Sequence, residues 1–187
     1  MSYYVFFPED KTSDETFAFV EQAFTPEECN RIIQLGSKEL KQSVIAGQVI
    51  DEKIRKSENS WICYCEDNKW LFDKLCGISL KINKQFWNLD LRGFYDNIQF
   101  TKYNEGYHYD WHKDYGKGMK FPRKLSLVLQ LSDIEDYEGG NLEFFQQDKL
   151  KPIPNKKGDI IFFPATEWHR VNKVLSGTRY SLVTWIS

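Results

Sequence analysis

Histidine is scarce in this chain. There are three among 187 residues, His108, His112 and His169, so any site built on imidazole has to draw on these. No apolar run approaches the roughly 20 residues that a membrane-spanning helix needs. The opening decapeptide, Met1 to Asp10, has neither a basic stretch nor a long apolar core, so no secretory signal is expected. Neither charge sign dominates: the formal net charge is −2, which gives no electrostatic case for nucleic acid or an anionic membrane surface as a partner. Cysteine is limited to Cys29, Cys63, Cys65 and Cys76, whose spacing fits neither a paired C-x-x-C zinc site nor a disulfide scaffold. They are expected to be unreactive reduced thiols of a cytoplasmic protein, with Cys63-Tyr64-Cys65 alternating along a strand. Internal repeats, low-complexity tracts and Pro/Gly/Ser linkers are also missing, so a single domain over residues 1–187 is expected, with helical and strand support in 1–91 and a strand-rich part in 92–187.

Aromatic residues are plentiful at 16%, which suits half-buried β-pleats better than a helical bundle. The first half reads as a short strand and then helices. Thr25-Pro26-Glu27-Glu28 has the form of a capping box with proline at the first helical position. Cys29, Ile32, Ile33 and Leu35 continue it as an apolar face, and Gly36 or the lysine-rich stretch beyond ends it. A second helix is expected from about Asp67 to Trp87. Residues 44–65 hold enough Val, Ile and Trp for one or two strands. From Arg92 the texture becomes strands: 94–103, 124–131, 141–145, 159–163, 169–174 and 179–186. These are separated by turn chemistry at Asn104-Glu105-Gly106, Gly139-Gly140, Pro152 with Pro154, and Ser176-Gly177. Helices followed by many short strands imply an α+β fold, with the helices packed outside a β-sandwich or open barrel.

The run Tyr107-His108-Tyr109-Asp110-Trp111-His112-Lys113-Asp114 holds most of the metal-binding chemistry. On a regular strand, period-two alternation places His108, Asp110, His112 and Asp114 on one face. A histidine and a carboxylate two apart can bind one metal ion, the local half of a 2-His-1-carboxylate site. The pair occurs twice here, and the spacing does not choose between the two. A third ligand falls to His169, which follows the apolar strand ending at Phe163-Pro164. Ten residues later Arg179 opens a strand on which Arg179, Ser181, Val183 and Trp185 share a face. An arginine and a hydroxyl beside a metal can bind a carboxylate; the plainer role for an inward arginine is a structural ion pair. A zinc site on His108-x-x-x-His112 is disfavoured, because the stretch lacks helix chemistry and no Glu follows His108.

The whole arrangement resembles the prolyl 4-hydroxylase-like branch of the Fe(II)/2-oxoglutarate oxygenases. It runs Tyr103-x-x-Gly106-x-x-Tyr109-x-x-His112-x-Asp114, then Gly139-Gly140-x-Leu142, Gly158-Asp159-x-x-x-Phe163, His169-Arg170-Val171 and Gly177-Thr178-Arg179. Phe24-Thr25-x-Glu27-Glu28-Cys29 extends it more weakly toward the front. The resemblance implies a double-stranded β-helix (jelly roll) with helices on the outside of the major sheet. It selects His112, Asp114 and His169 as ligands of Fe(II). His108 is left an ordinary strand or loop role, with the pocket rim as the alternative, and Asp110 a solvated one, with a substrate contact as the alternative. Arg179 is implied to bind the distal carboxylate of 2-oxoglutarate, with Tyr103 and Ser181 beside it. Several relatives carry Tyr where Gln130 stands, so an inward Gln130 would replace a phenol by an amide. The resemblance also implies dioxygen as the further co-substrate, succinate and carbon dioxide as co-products, and room for ascorbate as an auxiliary reductant.

The same resemblance makes a protein or peptide prolyl hydroxylase the first reading and a hydroxylase of a free amino acid or other small metabolite the next. Tyr109 and Trp185 are the candidate substrate contacts, with a core position as the alternative for Trp185. Nucleic-acid-demethylating relatives carry Asn and Arg where Thr101 and Trp185 stand here, which disfavours nucleic acid as substrate. A non-catalytic binding module is the remaining alternative. The basic, glycine-containing segment 115–124 after the ligand pair is either a loop closing over a substrate chain or a solvated connection.

Overall fold

The structure is a computed structural model that describes residues 15–44, 51–115, 120–145 and 153–187. In chain order the front half holds β1 (Ala18–Val20), α1 (Pro26–Gly36), β2 (Lys41–Gln42), β3 (Arg55–Lys56), β4 (Glu58–Ile62) and α2 (Lys69–Phe86). The strands of the second half are β5 (Ile98–Asn104), β6 (His108–His112), β7 (Leu125–Gln130), β8 (Tyr137–Gly139), β9 (Leu142–Phe144), β10 (Ile160–Pro164), β11 (His169–Val171) and β12 (Val174–Ile186). All pair antiparallel. The major sheet runs β1-β10-β7-β12-β5-β4-β2, with β8 added along the start of β12, and the minor sheet runs β3-β6-β11-β9.

Alternation on the major sheet sorts its residues into two layers. Ile98 and Phe100 of β5, Leu125, Leu127 and Leu129 of β7, and Leu182 of β12 face outward, where Cys29 and Ile32 of α1 and Leu71, Leu75 and Ile82 of α2 bury them. The alternate residues face the minor sheet and form a second cluster of Tyr103, Val128, Ile161, Phe163, Leu142, Phe144, Val171 and Val174. Helices outside a two-sheet sandwich is the arrangement the sequence implied.

Helix α1 begins as expected: the Thr25 hydroxyl accepts from Glu28 N, and the Glu28 carboxylate accepts from Thr25 N at 2.8 Å. It ends at Gly36, but not because a left-handed residue is needed there, for its φ is −75°. A Cβ on Gly36 would lie 2.1 Å from the Phe100 ring, so glycine lets the helix end rest on the sheet.

Several expected boundaries shift. Helix α2 is two residues shorter at its start, where Glu66–Asn68 form a 3-10 turn. Cys63 and Cys65 lie beyond the end of β4 and are exposed, so they do not alternate across a strand. Residues 94–97 are unpaired ahead of β5, and β11 stops at Val171. Ser176-Gly177, read as a turn, lies inside the continuous 13-residue β12. The register against β8 shifts between Val174 and Ser176, and Gly177 has φ +75°, so the glycine serves an irregular strand instead of ending it. Pro152 and residues 116–119 of the basic segment lie outside the described residues.

Candidate metal centre

Antiparallel pairing lays out the inner face of the major sheet as rows, because directly opposite residues share a face. Tyr103 pairs with Arg179, forming one row. The next is Asn59, Thr101, Ser181 and Gln130; the one after is Trp61, Gln99, Val183 and Val128. Trp185 then pairs with Ser126. Across from these rows the minor sheet brings up β6 and β11, with His112 opposite His169.

His112, Asp114 and His169 converge there, each offering one donor atom, and the three atoms all lie within 4.8 Å of one another. His112 Nε2 is 3.7 Å from Asp114 Oδ1, and His169 Nε2 is 3.6 Å from Asp114 Oδ2. Each imidazole is held from behind: Nδ1 of His112 lies 2.8 Å from the Asp110 carbonyl, and Nδ1 of His169 lies 3.0 Å from that of Glu167. A carbonyl can only accept, so Nδ1 carries the hydrogen and the Nε2 lone pair faces the centre. The Asp114 carboxylate accepts from the Ser126 hydroxyl at 2.7 Å.

Burial, reinforced by His169, pushes the His112 imidazole down to about 4, so it is neutral near pH 7. Burial alone would raise the Asp114 carboxyl. The two imidazoles and the Ser126 hydroxyl outweigh it and hold Asp114 below the usual carboxylate range. Two imidazole nitrogens facing one carboxylate is a donor set suited to a divalent metal.

The faces of β6 differ from the expected alternation. Tyr109 pairs with Val171 while His112 pairs with His169, so three steps on β6 match two on β11. This bulge turns Tyr109 inward together with His112, and their rings stack at 3.5 Å between centroids. His108 and Asp110 are left outside the triad's cavity: His108 Nε2 meets the Lys53 carbonyl, and Asp110 is exposed. The expected single face of His108, Asp110, His112 and Asp114 is therefore not formed.

Arg179 is 1% exposed, the largest fully buried side chain. Its Nη2 donates to Gln130 Oε1 at 2.8 Å, while Nε and Nη1 have no partner, and no carboxylate among the described residues pairs with it. Gln130 thus points inward, toward Arg179. The Arg179 guanidinium also sits 5.6 Å from the Tyr103 ring centroid, and Cβ on Gly140 (φ +62°) would press to 3.1 Å on the Arg179 stem. A buried cation lacking its counter-charge is costly, so the pocket is built for an anion.

Triad, Arg179, Tyr103, Ser181, Tyr109 and Trp185 line one cavity of about 420 Å³. Other residues in its wall were not reached by motif. Arg55 of β3 lies 4.5 Å over the Tyr109 ring, donates to Ser57 and keeps Nη2 unpartnered. Arg123 lies 3.6 Å over the Trp185 ring and donates to Asp96 at 2.8 Å. Trp61, 49% exposed, stands at the rim.

Two sheets of this topology around a His-Asp-His cluster define a jelly-roll metal site. Residues 98–187, just under half of the chain, match the family model of the 2OG-Fe(II) oxygenase superfamily. A PKHD-type hydroxylase of Synechococcus sp. (strain CC9902) is 38% identical over 90 residues, 48% of this chain and 40% of that protein. One from Psychrobacter sp. (strain PRwf-1) is 30% identical over 139 residues, 71% of this chain and 54% of that protein. The chain thus spans about half or less of the length of these curated relatives. In fold it is similar to a Pseudomonas putida prolyl-4-hydroxylase (TM-score 0.71, 23% identity, 92% of this chain and 93% of that one). It is also similar to a Trichoplax adhaerens prolyl hydroxylase in complex with a hypoxia inducible factor peptide fragment (TM-score 0.73, 17% identity, 92% and 84%). Among the described residues no helix is long and apolar enough to cross a membrane.

Proposed function

We propose that this protein is an Fe(II)- and 2-oxoglutarate-dependent dioxygenase that hydroxylates prolyl residues of a polypeptide. The observation that carries the reading is the buried, unpaired Arg179 guanidinium in the same cavity as the His112, Asp114 and His169 donors. One half of the cavity calls for a divalent cation and the other for a carboxylate, which is the demand of a chelating 2-oxo acid. His112, Asp114 and His169 would hold the iron, which when bound couples oxidative decarboxylation of 2-oxoglutarate, to succinate and carbon dioxide, with hydroxylation of the substrate.

The chain's own residues do the positioning. Arg179 offers Nε and Nη1 to the distal carboxylate, and Gln130 fixes the guanidinium from its far side. Tyr103 and Ser181 flank that end of the cavity. Burial raises the Tyr109 phenol, which stays protonated, and its ring braces His112. Trp185, covered by Arg123, stands in the wall on the substrate side. Exposed Trp61, Tyr115 and Val44 put apolar side chains at the described rim of the cavity, a surface that suits a chain lying across it, which supports a polypeptide, as does the peptide bound by the Trichoplax relative. A cytoplasmic setting goes with this reading and is supported by four free cysteines.

The test is succinate formation by the iron-loaded protein, followed by mass spectrometry of a peptide library for added oxygen. Oxygen on peptidyl proline supports the reading. Turnover stimulated by free amino acids alone moves the substrate to the small-metabolite alternative, and no succinate with any library or metabolite set rejects the enzyme.

A further inference from the structure

Between the Arg179 end of the cavity and the exposed Trp61 rim lies a strip of polar side chains to which no role has been given. Asn59 of β4 and Gln99 and Thr101 of β5 occupy adjacent rows of the inner face, at 9%, 6% and 0% exposure. They are linked in series: Asn59 Nδ2 donates to Gln99 Oε1 at 3.3 Å, and Gln99 Nε2 donates to Thr101 Oγ1 at 2.9 Å. Both amides line the triad's cavity.

The chain of bonds orients the amides and leaves capacity unused. Each carboxamide has two N–H donors and an accepting oxygen. The series engages one N–H of Asn59, the oxygen of Gln99 and one N–H of Gln99. Asn59 Oδ1 and one N–H on each amide have no partner among the described residues. Buried amides are normally satisfied, and an apolar pair would pack this wall at less cost. What the strip offers is a neutral acceptor and neutral donors side by side, which matches a secondary amide. A carboxylate would instead be drawn to cations of the cavity such as Arg179 and Arg55, which keep unpartnered nitrogens.

We infer that Asn59 and Gln99 determine specificity by hydrogen-bonding a backbone peptide group of the substrate next to the residue that reacts. Asn59 Oδ1 accepts the substrate N–H, and the free amide N–H groups of Asn59 and Gln99 donate to the substrate carbonyl. Thr101 sets the tilt of Gln99 from below. This rests on the polypeptide reading above and narrows it: chains are read through the backbone at this point, and free amino acids, which lack the peptide group, are not.

Ligand-observed NMR on the zinc-loaded protein with 2-oxoglutarate tests this without turnover. The probes are N-acetyl-Ala-Pro-Ala-N-methylamide and its ester analogue, in which oxygen replaces the Pro–Ala N–H. The wild type is expected to bind the amide tighter than the ester by about fivefold or more, the size of one peptide hydrogen bond. Asn59→Leu, which removes the acceptor, is expected to bind the two probes within about twofold of each other, and Gln99→Met, which removes a donor to the carbonyl that both probes share, is expected to bind both about fivefold more weakly than the wild type. The Gln99→Met arm decides if Asn59→Leu does not fold. Equal binding of both probes by the wild type, undiminished discrimination in Asn59→Leu, unchanged affinity for both probes in Gln99→Met, or binding of free proline but not the blocked peptide overturns the inference. Succinate assays run in parallel separate the two claims. Discrimination without turnover removes the enzymatic reading and keeps the peptide contact, whereas turnover without discrimination does the reverse.

Discussion

Two aspartates four residues apart have the same local motif and opposite surroundings. Asp114 is buried between two imidazoles and bonded to Ser126, whereas Asp110 is exposed and its carboxylate, among the described residues, accepts from the adjacent Trp111 N–H. Asp114→Ala is therefore expected to abolish iron-dependent succinate formation, while Asp110→Ala leaves it measurable. Loss of activity in Asp110→Ala with activity kept in Asp114→Ala would assign the ligand wrongly. Arg179 calls for a different readout, because its proposed partner is the distal carboxylate of 2-oxoglutarate and not the metal. Arg179→Gln removes charge-assisted bonds worth roughly 1.5–3 kcal/mol, so the half-saturating 2-oxoglutarate concentration is expected to rise about tenfold or more. The iron requirement should move much less, and equal shifts in both would remove the assigned role.

At the scale of elements, glycine does different things in the two helices. Gly36 ends α1 against the Phe100 ring, so Gly36→Ala forces a methyl into occupied space and is expected to cost about 1–3 kcal/mol. Gly77 lies on the exposed side of α2 with nothing within 4 Å of an added Cβ. There Ala only removes helix-breaking freedom and is expected to add about 0.5–1 kcal/mol. Urea midpoints of the two variants check this, and a shared sign would mean that local packing does not decide either. Helix α1 was legible because its cap is written in side chains, Thr25 and Glu28, and its face in a 3.6-residue period. The face of β6 was not legible, because alternation assigns faces only on a regular strand. The bulge opposite His169–Val171 is a property of the pairing. Arg55 was invisible for a related reason: β3 is two residues long, too short for any period, and β6 places it over Tyr109. Gln99 left a weak signal, a polar residue alternating with Ile98 and Phe100 on the strand that leads to Tyr103.

For the molecule as a whole, the centre was read from five motifs in order, while the cavity wall between them came only from sheet register. That division follows from the physics: a metal and a carboxylate demand particular side chains, whereas a wall needs only residues of suitable size on the correct face. The demand has a cost, because the fold must bury the His112 imidazole uncharged, and this shapes the acid response. His112 is held down to about 4 in the folded protein, against an ordinary value of 6.5 that it regains on unfolding. Between these values the unfolded chain binds a proton that the folded one refuses, so stability falls as pH falls, by at most about 1.4 kcal/mol per pH unit from this group. The contribution is complete above 6.5 and lost by about 4. Asp114, held below its ordinary 3.8, acts in the same direction and is lost further down, as pH falls through its own folded value. The urea midpoint of the chelator-treated protein is therefore expected to drop steadily from pH 7 toward pH 4.5, with a shallower profile in His112→Gln. A profile equally steep in that variant would place the acid sensitivity elsewhere in the fold.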